Sequence, residues 1–129
     1  LACDVASDKA IAEIERLNEA IKGARDSEGQ LEAFRCDMAF HDAIVTASGN
    51  RSLFETHATY NARLWRVRFL SSQRVVSRDV TRREHEEIVD ALKTRDARAA
   101  RRSLSQHLHT AAINIAAALA EADTGTEDI

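Results

Sequence analysis

The 129-residue chain carries five histidines: His41, His57, His85, His107 and His109. Asp37 and His41 stand four residues apart, so on a helix both side chains leave one face. A carboxylate and an imidazole one turn apart form a two-ligand unit for a transition metal, and equally an ion pair. His85 lies one turn before Val89, and His107 lies beside Leu104 and Leu108, so both fall on apolar stretches. Three antiparallel helices can bring Asp37, His41, His85 and His107 to one point. Three imidazoles and one carboxylate suit Zn²⁺, Ni²⁺ or Mn²⁺, with zinc the first choice. His57 and His109 have no partner at ligand spacing and are read as ordinary helix residues.

Other chemistries find no support. No glutamate stands three residues before any histidine, which a di-iron bundle needs. HExxH, GxSxG, GxxxxGK[ST] and GxGxxG are all absent. The two cysteines, Cys3 and Cys36, form no CxxC, which fits a reducing cytoplasm better than a disulfide scaffold or zinc finger. No run of 18 apolar residues exists, and the first ten residues lack the pattern of a signal peptide.

The elements that must hold these residues are helical. Proline is absent and glycine occurs four times, too little turn chemistry for a sandwich or barrel. Ile11, Ile14, Leu17 and Ile21 recur at helical spacing behind Ser7, a fitting N-cap, and Gly23 lies near the expected end. Ser27 and Gln30 read as a capping box opening a second helix with Leu31, Phe34, Met38, Ile44 and Val45 as its apolar positions. Ser48-Gly49-Asn50 closes it, and Asn50 can cap a third, with Leu53, Tyr60, Leu64, Val67 and Leu70 inward. Residues 71–78 lack periodicity and read as a frayed end plus loop. A fourth helix is expected over about 79–94, and a fifth, capped by Asp96, from Ala97 to about Ala120. Residues 1–6 read as the end of a further helix. The expected domain spans 1–122, with a polar, disordered tail over 123–129. Long helices with short connections make an all-α antiparallel bundle.

Charge is uneven. Residues 1–50 carry −5 and residues 51–129 carry +2, for −3 in all. The arginines of the second part suggest a phosphate-binding face, but Glu84, Glu86, Glu87, Asp90 and Asp96 are interleaved with them and would blunt it. Four protein donors leave a position open on a five- or six-coordinate ion, where a carboxylate can bind and pair with an arginine fork. Arg63 and Arg66, with Tyr60 on the expected inward stripe, are candidates for that contact, and surface residues on the alternative reading.

Asp37-Met38-Ala39-Phe40-His41 followed by Ala47-Ser48-Gly49-Asn50 resembles the D-x-x-F-H…A-S-G-N signature of the FCD domain, the C-terminal effector-sensing domain of FadR-type GntR transcription regulators. Glu84-His85 with Ile88 resembles the family's E-H-x-x-I, and Asp96, Ala99-Ala100 and His107-Leu108 resemble its ending. The likeness covers about residues 1–120. It implies six or seven helices around a cavity. It also implies a divalent metal on Asp37, His41, His85 and His107, as in the family's metal-binding branch, and a small carboxylate or sugar acid as effector. A homodimer is implied as well, with no enzymatic role and no membrane. DNA is read in the family by a winged helix-turn-helix domain that precedes this one and is not in this chain. The position before Asp96, commonly glycine in the family, is Arg95, which is expected to tighten or shift that turn. A small metal-dependent hydrolase and a metal-braced structural bundle are the competing readings.

Overall fold

The computed structural model describes residues 1–27, 29–74 and 78–127. Among these residues there are six helices and no strand: α1 (Ala2–Val5), α2 (Asp8–Ser27), α3 (Gln30–Ala47), α4 (Arg51–Ser72), α5 (Arg78–Lys93) and α6 (Ala97–Glu127). None is long and apolar enough to cross a membrane. Three expected caps are in place. Ser7 Oγ accepts from the Ala10 amide at 3.1 Å, Asn50 Oδ1 from Leu53 at 3.0 Å, and Asp96 Oδ1 from Ala99 at 3.0 Å. Each satisfies one of the amides that a helix start leaves open.

α2 pairs chiefly with α3, and α5 with α6; α4 closes the bundle against α3 and α6. Ile11, Ile14 and Ile21 of α2 meet Phe40 and Ile44 of α3 and Ile88, Val89 and Leu92 of α5 in one core. Ile14, Phe40, Ile88 and Leu92 are essentially sealed from solvent. Burial of one such side chain contributes about 1.5–3 kcal/mol, so these contacts fix how α2, α3 and α5 are set against one another.

Three expectations are corrected, while α2 ends where its pattern was expected to break. It runs through Gly23, an exposed helical glycine that costs only about 1 kcal/mol, to Ser27. α3 opens at Gln30 with Gly29, whose φ of 91° suits glycine, as its N-cap, and Ser27, the expected N-cap, is instead the last residue of α2. α6 runs to Glu127, past the expected end near Ala120 and into the stretch expected to be a disordered tail; its alanine-rich sequence favours helix. The third correction concerns which side of α4 faces in. Leu53, Tyr60, Leu64 and Leu70 are exposed, whereas His57, Asn61, Arg68 and Ser71 turn toward the bundle. The helix has apolar residues on both sides: Phe69 and Trp65 pack on Phe34 with ring centroids 5.3 and 5.2 Å apart. Its polar face is drawn in by the polar site beneath it.

The turn before α6 keeps its form despite Arg95. The residue adopts the left-handed conformation, φ 53°, while the Asp96 amide donates to Ala91 O and the Arg95 amide to Leu92 O. This is the closure in which glycine is usual. Its guanidinium donates to Cys3 O, Ala6 O and Asp8 Oδ1, which ties α1 to the α5–α6 corner.

Candidate functional site

Asp37 and His41 come from adjacent turns of α3, His85 from α5 and His107 from α6. His41, His85 and His107 are buried. Asp37 Oδ1 lies 3.2 Å from His41 Nε2 and 3.4 Å from His85 Nε2. His107 Nε2 lies 3.2 Å from His85 Nε2 and 3.4 Å from His41 Nε2. One nitrogen of each of the three imidazoles lies within 4.8 Å of the other two, a grouping that could hold a metal ion, and Asp37 Oδ1 stands beside two of them. Asp37 Oδ1 is the one buried side-chain oxygen or nitrogen among the described residues that lacks a hydrogen-bond partner.

Ligands held about 2.0–2.1 Å from a tetrahedral zinc stand about 3.3–3.4 Å from one another. The four separations, of 3.2–3.4 Å, are close to that value. Without a cation, facing imidazole lone pairs at such separations would oppose folding.

The protonation states suit metal ligation. Burial pushes the His85 imidazole down to about 3, against the pull of Asp37 and with help from His41 and His107. Burial also lowers His107, as does His41, although Glu84 opposes the shift. For Asp37, burial favours the neutral acid, but His41, His85 and Arg68 outweigh it and hold the carboxyl well below the usual range. Two neutral imidazoles beside an ionised carboxylate are the forms that bind a cation.

Glu84 orients one of these rings. His107 Nδ1–H donates to Glu84 Oε1 at 3.0 Å, and Thr110 Oγ1 donates to Oε2 at 2.7 Å. That bond leaves the lone pair of His107 Nε2 aimed at the other donors. Phe40 covers the opposite side, its ring centroid 4.6 Å from that of His85.

A cavity of about 70 Å³ opens beside Asp37, His41 and His107, walled in part by Arg25, Arg68 and Arg78. Tyr60, Arg63 and Arg66, the expected effector contacts, are exposed on α4 and do not line it. Arg68 stands in their place, because the opposite face of α4 turns inward; it donates to Asn61 Oδ1 at 2.5 Å. Arg25, in the last turn of α2, and Arg78, at the edge of the aperiodic stretch before α5, were not among the expected contacts. The spacing of His57, Asn61 and Arg68 along one face was the available signal. His57 lies apart, 3.5 Å from Asp42, and His109 is exposed.

A family model described as FCD domain matches residues 1–110, a span that includes all four donors. No curated protein and no solved structure matches the chain.

Proposed function

The chain belongs to the FCD domain family, the effector-binding C-terminal domain of GntR-type regulators, and from that premise we propose that it senses a small carboxylate or sugar acid beside a divalent metal ion. One observation carries this reading: Asp37 Oδ1 and three Nε2 atoms, from three helices, lie 3.2–3.4 Å from their neighbours next to an arginine-walled cavity. Asp37, His41, His85 and His107 would hold the ion, zinc first, with nickel or manganese also compatible. The ion supplies a position for a hard oxygen donor. Arg68 would pair with the same acid, and the lining of α3, α4 and α6 would set its orientation.

The sensing unit would span residues 1–122 and act in the cytoplasm as a homodimer, with DNA read by a separate winged helix-turn-helix domain of the regulator. The exposed stripe of Leu53, Tyr60, Leu64 and Leu70 on α4 offers the second copy an apolar face. A hydrolytic reading is less well supported. Glu84 is already engaged by His107 and Thr110, and Glu87 is exposed away from the cavity.

The test is elemental analysis of protein purified without chelator and reloaded with zinc, followed by a thermal-shift screen of small acids. One ion per chain is expected, lost in His85→Ala and kept in His57→Ala. Ligand saturation at a hundredfold excess over Kd should add about 2.7 kcal/mol of stability. Absence of metal after loading, or an acid response that persists without metal, overturns the reading.

A further inference from the structure

The cavity holds more positive charge than one carboxylate can answer. Arg25 of α2, Arg68 of α4 and Arg78 of α5 all line it, each half-buried, and Asp37 is the one acid in its wall. Arg68 has Asn61 as a partner. Arg25 and Arg78 have no hydrogen bond or ion pair to any described residue. They also share a second, smaller recess of about 30 Å³ that adjoins the cavity at Phe34, Asp37 and Ser72 and is walled in addition by Gln30. The histidines reach only the first cavity; the recess is lined by the two arginines alone among charged groups besides Asp37.

Burial lowers Arg25, Asp37 opposes the shift, and Arg78 and Arg82 lower it further, so Arg25 and Arg78 are near enough to repel each other. Among the described residues Asp37 is the one acid beside these two half-buried cations, and an anion between them relieves the repulsion that remains. Guanidinium forks bind a carboxylate by paired hydrogen bonds. One carboxylate cannot occupy both the histidine side of the first cavity and the adjoining recess, which no histidine lines. Two carboxylates on a short chain can.

We propose that the effector is a short dicarboxylate of three or four carbons, with one carboxylate facing the Asp37, His41 and His107 side and the other gripped by Arg25 and Arg78. This rests on the metal-and-acid reading above and narrows its ligand class. Size agrees with it. At about 10–15 Å³ per water-sized group, the cavity and recess together accept a molecule of several non-hydrogen atoms, too few for a six-carbon sugar acid.

The experiment is calorimetric titration of zinc-loaded protein with matched pairs in which a carboxylate replaces a methyl group: malonate against propionate, and succinate against butyrate. Gluconate and inorganic phosphate complete the set. Each diacid is expected to bind at least tenfold more tightly than its partner. Arg78→Gln and Arg25→Gln should abolish that preference with zinc content retained, and Arg78→Lys should restore part of it. Equal binding of diacids and monoacids, a preference untouched by both substitutions, or tighter binding of gluconate or phosphate overturns the dicarboxylate assignment while the carboxylate-sensing reading stands. If no acid of any kind binds the zinc-loaded protein, the sensing reading fails, and this inference fails with it.

Discussion

Glu84 of α5 and His107 of α6 meet inside the bundle at 3.0 Å, both buried, and that single bond fixes which nitrogen of His107 faces Asp37, His41 and His85. A carboxylate that takes the Nδ1 proton also makes the other nitrogen a better donor to a cation. Glu84→Gln is therefore expected to weaken zinc binding by about 10–100-fold while the helical content is retained. Competition against a chromophoric chelator, with circular dichroism as the control, measures both. Unchanged zinc affinity would show that Glu84 serves only packing.

Stability should fall with acid in the chelator-stripped protein. Folding pushes His85 down to about 3 from 6.5, and lowers His57 and His107 as well. Below about pH 6.5 the unfolded chain takes up protons that the folded chain refuses. The stability is thus fully present above the unfolded value and is lost as pH falls from there toward the folded one. One such proton changes stability by about 1.4 kcal/mol per pH unit. Asp37, also held low, adds a loss of the same sign below about pH 4. Urea midpoints at pH 7.5, 6.5 and 5.5 check this, and stability that is level or rising toward pH 5.5 contradicts it. His109→Asn, at an exposed position, should follow the unmodified profile.

Arg95 combines a strained backbone with a useful side chain. A left-handed conformation costs a non-glycine residue about 1–2 kcal/mol, and here the guanidinium offsets it through bonds of 3.1, 2.8 and 2.9 Å to Cys3 O, Ala6 O and Asp8 Oδ1. Arg95→Ala loses the bonds and keeps the strain; Arg95→Gly loses both. The alanine variant is expected to be the less stable of the two by about 1 kcal/mol, read from chemical denaturation. Both should expose residues 1–7 to proteolysis sooner than the parent protein. Equal stability of the two variants would mean that the turn relaxes when the side chain is cut back.

Much of the donor set was legible because it depends on local spacing. Asp37 and His41 share a face on any helix, and the caps at Ser7, Asn50 and Asp96 are set by side chains three residues from the amides they bind. The arginines were harder to place. Arg25 reaches the cavity from the last turn of α2, and what that turn faces is a tertiary property that the sequence does not display. The rotation of α4 was harder still. Its apolar residues lie on two sides, so periodicity alone cannot say whether Tyr60 and Leu64 or Phe69 and Arg68 face the bundle. What decides it is the polar site on α3, α5 and α6, which accepts Arg68 beside Asp37 and leaves the leucine stripe outside.

That rotation gives the last prediction, a contrast between two arginines on one helix. Arg66 and Arg68 are two residues apart, which places them about 200° apart around α4. Arg68 lines the cavity and has Asp37 as its nearest favourable charge, whereas Arg66 is exposed. A guanidinium that pairs with a ligand carboxylate in a partly dry cavity contributes about 1.5–3 kcal/mol, so Arg68→Ala should weaken acid binding by roughly 10–100-fold. Arg66→Ala, like Arg63→Ala and Tyr60→Phe, should leave acid affinity within about twofold, because a solvated charge outside the cavity is screened. On the same outward face, Leu64→Arg should act on association instead. A buried charge at a two-fold interface is costly, so this variant is expected to elute as a monomer with its zinc content intact. Calorimetry and size-exclusion chromatography with light scattering separate the effects. An Arg66→Ala protein that loses acid binding while Arg68→Ala keeps it would reverse the orientation of α4 on which the site depends.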